Sequence, residues 1–234
     1  MKCFDTTTTL AELVTRYPEC GRVLKEMKLD FCCQGEMSLS EACRKKSLDV
    51  DKVSDRIGQE IESRQGQLNQ PNLERFATAD LITYVVDTHH GYLRRVLPYL
   101  SALSQKVAAV HGQNESRLVA LSTCFQELRE TIEPHLDEEE QFLFPLLEQA
   151  EVDAIPMALQ GMVEEHRGVG QLLAKLRDLS DDYQPPMWAC RSYRTLYSEL
   201  DALEMDVLRH IHIENHILAP RFQSLEIGCG VNRD

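Results

Sequence analysis

Two copies of one short motif hold the residues in this chain whose types and spacing best suit metal chemistry. Each copy places a histidine four residues before a glutamate, as His135 with Glu139 and His210 with Glu214, and both fit H-x3-E-x3-L-x-P. Residues i and i+4 lie on one face of an α-helix, so each imidazole and carboxylate point in the same direction. Imidazole nitrogens suit iron, zinc, copper and nickel, and carboxylate oxygens can bridge two cations. The repeat therefore predicts the two halves of a two-metal site.

Two further histidines extend the repeat upstream. His90 and His166 each precede one copy by roughly the length of a helix and a turn. This predicts a duplicated helical hairpin, with a lone histidine on its first helix and the His–Glu pair on its second. In helix bundles, paired metals are held by side chains that project inward from facing helices. The predicted metal ligands are His90, His135, Glu139, His166, His210 and Glu214.

The charge of the donor set can be compared with that of two divalent ions such as iron. The carboxylates of Glu139 and Glu214 cancel half of the metal charge, and an oxo or hydroxo bridge would supply the remainder. If both carboxylates bridge, each iron also receives two imidazole nitrogens, and one position stays open for a small diatomic ligand. A single His–Glu pair is more often a solvated surface contact, but two copies in register favour ligation. Glu138 and Glu140 flank Glu139, and the second copy selects Glu139 by analogy.

The composition favours an all-α fold that can position these residues. Only 6% of the residues are aromatic, and no stretch alternates with the period of a β-strand. Pro98 and Pro134 lie inside two long helical patterns and are expected to kink or break them. Four long helices with short joins predict an up-down bundle, at about 79–110, 115–149, 156–179 and 187–221.

A smaller helical unit is expected before the bundle. Thr9 and Ser38 begin helix-capping sequences, and a stretch rich in Gly, Pro, Asn and Gln follows as a linker. The predicted organisation is an N-terminal helical domain at 1–65, a linker at 66–77, the four-helix bundle at 78–226 and a tail at 227–234.

The eight cysteines are scattered without regular spacing, as expected where thiols stay reduced. Cys124 and Cys190 lie in helical patterns and are expected to be small buried residues. Cys32 and Cys33 are adjacent, and their Cα atoms, about 3.8 Å apart, are closer than ordinary disulfide geometry allows. They are predicted to be two free thiols at a turn.

The formal net charge of −13 argues against nucleic acid and anionic membranes as partners. The N-terminus lacks the apolar core of a signal peptide, and no apolar run approaches the ~20 residues needed to cross a bilayer. We therefore expect a cytoplasmic protein with no nucleic-acid and no membrane partner.

Taken together, the motifs resemble those of the ScdA/YtfE-type iron–sulfur cluster repair proteins, which are di-iron proteins with a hemerythrin-like bundle behind a small N-terminal domain. The resemblance covers nearly the whole chain and assigns the iron ligands to the six residues that the repeat selects. The shared marks are D-[YF]-C-C-x-G at 30–35, H-x7-P at 90–98, E-E-x-x-L-F-P at 139–145, Glu165-His166, P-P-x2-A-C at 185–190 and H-x3-E-N at 210–215.

The resemblance implies repair of iron–sulfur proteins damaged by nitric oxide or peroxide, through iron delivery or removal of nitric oxide at the di-iron centre. It also implies a homodimer, and it leaves open whether the centre reduces nitric oxide. Cys32 and Cys33 would handle iron or nitric oxide or contact a partner, with a packed turn as the alternative. The competing functions are a hemerythrin-like carrier or sensor of O2 or NO, and a ferroxidase or iron store. A simple O2 carrier needs no thiol-bearing N-terminal domain, which favours repair.

Several side chains beside the motifs are not expected to be ligands. His89, His212 and His216 are interpreted as surface, partly buried or supporting residues, because they point away from the ligand face. His111 is expected to cap a helix end or line an access path, with a supporting role at the site as the alternative. Glu165 has two candidate roles, as a nearby acid or as a ligand on an exit path for iron, and neither is favoured.

Overall fold

The structure, a computed structural model, describes residues 4–64, 71–149 and 154–223. Within these ranges the chain forms helices and no β-strand, with one isolated β-bridge between Thr9 and Ser38. The predicted all-α fold is therefore confirmed. The predicted tail at 227–234 and the first part of the predicted linker, 66–70, lie outside the described residues.

The described residues group into two compact units whose boundary falls inside one helix. The first unit comprises the residues up to Ala77 together with those from Leu208 onward, and the second comprises Thr78–Val207. Because this grouping follows contacts and not function, the predicted domain boundaries stay predictions.

Capping side chains set the helix starts in the first unit. The Thr9 hydroxyl accepts from the Glu12 amide at 3.1 Å, while the Glu12 carboxylate accepts from the Thr9 amide at 3.0 Å. The Ser38 hydroxyl accepts from the Glu41 amide at 3.2 Å. Both predicted caps are confirmed. The α-helices of this unit are α1 (Leu10–Arg16), α2 (Cys20–Glu26), α3 (Leu39–Lys45), α4 (Val50–Arg64) and the short α11 (Pro220–Gln223).

The second unit contains the long helices of the predicted up-down bundle, which is confirmed. In α6, Leu93, Leu97 and Leu100 recur at helical spacing and are fully buried. Helix α6 packs on α7, and α7 packs on α9. The helices are α5 (Thr78–Val85), α6 (Gly91–His111), α7 (Arg117–Glu138), α8 (Phe144–Gln149), α9 (Ile155–Leu179) and α10 (Arg191–Ile213), of which α10 ends beyond the boundary at Val207.

One buried ion pair joins α9 to α10 within the second unit. The Arg177 guanidinium donates to Glu204 Oε1 from Nη2 at 2.6 Å and from Nε at 3.0 Å, and both side chains are nearly inaccessible to solvent. A buried charge loses its hydration, so each partner depends on the other for compensation.

The prolines do not break the bundle helices, and the expected kinks stay a prediction. Helix α6 runs through Pro98 and α7 runs through Pro134 without a break. Both prolines are exposed, so the backbone carbonyl that each leaves without an amide partner lies on the side of the helix that water can reach. The interruptions occur elsewhere, at the predicted metal ligands.

None of the helices in the described ranges is long and apolar enough to span a membrane.

Candidate metal centre

Three five-residue π-helical segments coincide with predicted ligands. His90 is the last residue of the segment Val86–His90, Glu139 is the first of Glu139–Leu143, and Glu214 is the first of Glu214–Leu218. In the last segment the Ala219 amide donates to the Glu214 carbonyl at 2.8 Å, five residues back. Such single π turns are rare and frequently mark functional sites, because they change the direction of the side chains that follow. The sequence patterns did not predict them.

The second unit brings four predicted ligands together around the Glu139 carboxylate. Its Oε1 lies 3.3 Å from His135 Nε2 and 4.0 Å from His166 Nε2, whereas its Oε2 lies 3.4 Å from His90 Nε2. The Nε2 atoms of His135 and His166 are 3.2 Å apart. All four side chains are buried. The two oxygens of Glu139 thus face two different sets of imidazole nitrogens.

These separations fit metal coordination. Two ligand atoms that share one metal ion at about 2.1 Å lie roughly 3.0–3.4 Å apart when the angle between their bonds is 90–110°. The contacts of Glu139 with His135 and His90, and the contact between His135 and His166, fall in this range. The buried histidines and glutamate therefore form a non-haem metal site.

Two acidic residues contact the outer nitrogens of two histidines that are predicted ligands. Glu165 Oε2 lies 2.6 Å from His135 Nδ1, and Glu140 Oε1 lies 2.9 Å from His90 Nδ1. A proton on each Nδ1 satisfies these carboxylates and leaves the Nε2 lone pair directed at the metal site. Sequence spacing alone indicated neither contact, and both place a carboxylate against a predicted ligand.

Arg94 completes the surroundings of Glu140. Its Nη2 donates to Glu140 Oε1 at 3.0 Å and to Asp137 Oδ1 at 2.7 Å. Burial raises the pKa of the Glu140 carboxyl, but the hydrogen bonds from His90 and Arg94 outweigh that effect and the pKa lies below its ordinary value. Glu140 is therefore a carboxylate at neutral pH, as its contact with the His90 ring requires.

The first unit holds the other predicted pair. His210 Nε2 lies 2.9 Å from Glu214 Oε1, and both side chains are buried. The next two residues bind the turn of the predicted thiols, since Asn215 Nδ2 and His216 Nε2 donate to the Cys32 carbonyl at 3.0 and 2.9 Å. The π-helical segment that begins at Glu214 is thereby fastened to the turn that carries Cys32 and Cys33.

Cys32 and Cys33 are free thiols at a turn, as predicted. Asp30 Oδ1 accepts from the amides of Cys32 and Cys33 at 3.2 and 2.8 Å and from the Cys32 thiol at 3.3 Å. The two sulfurs are 3.6 Å apart. The hydrogen bond to Cys33, burial and the charge of Asp30 raise the pKa of the Cys32 thiol well above its ordinary value. Cys32 therefore keeps its proton, and Cys33 is the more accessible sulfur.

Gly35 ends this turn because no side chain fits there. A Cβ on Gly35 would lie 2.6 Å from the Phe31 carbonyl oxygen and would collide with the His216 ring. The glycine of the Cys-Cys motif thus allows the turn to approach the residues that follow Glu214.

The remaining histidines lie outside the ligand cluster. His89 contacts Asp206 at 3.0 Å, and His212 contacts the Thr15 hydroxyl at 3.1 Å. Burial lowers the pKa of His212 to about 3, so its ring is neutral. His111 lies 3.1 Å from the Cys190 sulfur. Cys124 is buried as expected, but the expectation for Cys190 is wrong, because this residue is exposed and precedes α10.

A cavity of about 520 Å³ opens beside His135 and Glu139. Its wall is largely apolar, with side chains from Phe142, Leu146 and Met162, and Glu165 is among its polar lining residues. His135 and Glu139 therefore both line this cavity.

Two protein-family models match the chain. The hemerythrin HHE cation-binding domain matches residues 81–222, which include all six predicted ligands. The ScdA_N domain, described as a domain of unknown function (DUF542), matches residues 6–60, which include the Cys-Cys turn.

Curated relatives are similar over nearly their whole length. The iron–sulfur cluster repair protein ScdA of Staphylococcus haemolyticus is 33% identical over 91% of this chain and 96% of its own. The repair protein YtfE of Edwardsiella ictaluri is 32% identical, and the probable iron–sulfur cluster repair protein of Haemophilus influenzae is 29% identical, each over 91% of this chain and 95% of its own. The chain therefore belongs to the ScdA/YtfE family of hemerythrin-like iron–sulfur cluster repair proteins.

Proposed function

We propose that this protein repairs iron–sulfur clusters damaged by nitrosative or oxidative stress, using a pair of non-haem irons in its hemerythrin-like domain. The observation that carries the proposal is the orientation of Glu139, whose two oxygens face different histidine nitrogens at 3.3 and 3.4 Å. A carboxylate placed in this way is suited to bridge two metal ions. The names of the curated relatives support cluster repair as the function.

The proposed ligands divide into two sets. His135 and His166 would hold one iron together with Glu139, and His90 and His210 would hold the other. Glu139 and Glu214 would be the carboxylates that the two irons share, and an oxo or hydroxo group would balance the remaining charge. The hemerythrin model supports this assignment because one match includes all of these residues.

The side chains around the proposed irons would orient the ligand histidines and leave access for a small ligand. An iron pair supplies reversible electron transfer and the capacity to bind nitric oxide or O2. Glu165 and Glu140 orient His135 and His90 through their Nδ1 atoms. The cavity beside Glu139 would give a small neutral ligand a path to the site.

The turn of the first unit is proposed to take part in repair. Cys33 is the accessible thiol of the pair and is a soft donor for iron or for a nitrosyl group. We place this work in the cytoplasm, where such thiols stay reduced, with damaged iron–sulfur proteins as the targets. By resemblance to the family we also propose a homodimer.

A hemerythrin-like carrier or sensor of O2 or NO is not favoured. The ScdA_N match and the relatives named as repair proteins together cover both parts of the chain, including the thiol-bearing turn that a carrier does not need.

The proposal is tested by metal analysis combined with reactivation of a nitrosylated iron–sulfur enzyme. Protein purified from iron-grown cells should contain two irons per chain. His135→Ala and His210→Ala should each lose most of the iron and the reactivation activity. His89→Ala is the matched control, since this buried histidine contacts Asp206 and is not one of the six predicted ligands. Stoichiometric zinc without iron, or full reactivation by an iron-free variant, would refute the proposal.

A further inference from the structure

An exposed thiol and an imidazole form a pair in the second unit, remote from the metal site. The Cys190 sulfur lies 3.1 Å from His111 Nε2, and Cys190 is exposed. His111 is the last residue of α6, and His90 immediately precedes the first. At 1.5 Å per residue the two histidines are about 31 Å apart. The thiol–imidazole pair is therefore separate from the proposed irons.

The segment before α10 is held in a fixed conformation by Arg194. Its Nε donates to the Ala189 carbonyl at 2.9 Å, and its Nη2 donates to the Met187 carbonyl at 2.6 Å. Cys190 follows these residues directly, and its own carbonyl accepts from the Arg194 amide at 3.0 Å. The position of the thiol is thus set by backbone hydrogen bonds on both sides.

The imidazole is held by two aromatic rings. The ring centre of His111 lies 5.9 Å from that of Trp188 and 5.8 Å from that of Tyr193. Tyr193 is fully buried, and its hydroxyl lies 3.1 Å from that of Tyr197. These contacts keep His111 Nε2 directed at the sulfur, so a thiol proton has an acceptor in place.

Cys190 differs from the other cysteines in the described ranges. Burial raises the pKa of the thiols of Cys20, Cys43 and Cys124, which makes these cysteines poor nucleophiles at neutral pH. Cys190 has none of this burial and has an imidazole in contact with it. Trp188 and Met187, exposed by 53% and 94%, supply an apolar surface beside it for the organic part of a reagent.

We propose that Cys190 is a nucleophilic thiol that forms mixed disulfides with low-molecular-weight disulfides, and that His111 is its base. His111 Nε2 takes the thiol proton as the Cys190 sulfur attacks one sulfur of the disulfide. The S–S bond of the reagent breaks, and its second sulfur leaves as a thiolate. That thiolate receives the proton from His111. The products are a mixed disulfide at Cys190 and one small thiol, and the disulfide itself is the oxidant.

The test measures modification of metal-loaded, full-length protein by hydroxyethyl disulfide, a neutral reagent. Mass spectrometry of proteolytic fragments separates the product at Cys190 from products at Cys3, Cys33 and Cys229. At pH 7 an unassisted thiol with the ordinary pKa is only about 3% ionised, so proton transfer to His111 can raise the rate up to about thirtyfold. We expect Cys190 to react at least about tenfold faster than Cys33, and His111→Gln to remove that advantage. The iron content of His111→Gln should equal that of the wild type.

The pH dependence distinguishes a base from a merely structural histidine. An unassisted thiol becomes fully ionised as the pH rises from 7 to 9.5, so its rate should increase about thirtyfold. The wild-type rate at Cys190 should increase less than about fivefold, and the difference from His111→Gln should disappear at pH 9.5. A thirtyfold increase in the wild type, or a rate in His111→Gln within twofold of the wild type at pH 7, would overturn the proposal. The wild-type profile decides the matter even if the variant fails to fold.

Discussion

Glu140 should control metal binding although it is not a proposed ligand. Its Oε1 lies 2.9 Å from His90 Nδ1, on the side of the ring opposite the metal site. The change Glu140→Gln keeps the size of the side chain but replaces the carboxylate that holds the ring. The amide can present its NH2 group to Nδ1, which favours the wrong tautomer and places a proton on Nε2. His90 would then have no lone pair for a metal.

The expected loss of metal affinity follows from the number of histidines whose Nδ1 contact is removed. Replacing one carboxylate that orients a ligand histidine typically weakens metal binding by about 10–100-fold, which corresponds to roughly 1.4–2.7 kcal/mol. One histidine is affected, because His135 has its own partner in Glu165 at 2.6 Å. The metal bound through His90 should therefore be lost first, and the other should be retained at moderate chelator concentration.

The assay is competition between the apo-protein and a chromophoric chelator for divalent iron under anaerobic conditions. Glu138→Gln is the matched control. Glu138 lies two residues before Glu140 and is exposed, so this change removes the same charge without removing a contact with His90. Glu140→Gln should bind its weaker metal at least about tenfold less tightly than Glu138→Gln does. Equal affinities for the two variants would show that charge near the site matters and that the orientation of His90 does not.

Three other changes probe the thiols, the buried ion pair and the first helix cap. Replacing both Cys32 and Cys33 by serine should leave the iron content unchanged and lower reactivation of a nitrosylated enzyme, because serine lacks the soft sulfur; undiminished reactivation would make the pair a packed turn. Arg177→Met leaves Glu204 buried without its partner guanidinium and should cost about 3–5 kcal/mol in the free energy of unfolding; a loss below about 1 kcal/mol in denaturant titration would contradict this reasoning. Thr9→Ala removes the cap on α1 and should cost about 1 kcal/mol, measured the same way against Thr8→Ala.

Local periodicity was enough to predict the helices and the grouping of the histidines. The His–Glu pairs are four residues apart, and a helix brings such residues together without help from the rest of the fold. The bounds of the long helices followed from apolar spacing in the same way, as α9 at Ile155–Leu179 illustrates. The π-helical segments were not predictable, since an i→i+5 turn is stabilised by the packing around it and has no sequence signature of its own.

Contacts between distant residues explain the other differences. His90 meets Glu140 across 50 residues, His135 meets Glu165 across 30, and His111 meets Cys190 across 79. Helical spacing did not distinguish Glu138 from Glu140 as neighbours of Glu139, because it does not show which helix lies opposite each carboxylate. The periodic pattern also assigned Cys190 to a helix, whereas Arg194 holds that segment as the exposed loop before α10. The sequence therefore determines the directions of the ligands along each helix, but the groups that orient and protonate them depend on how the helices pack.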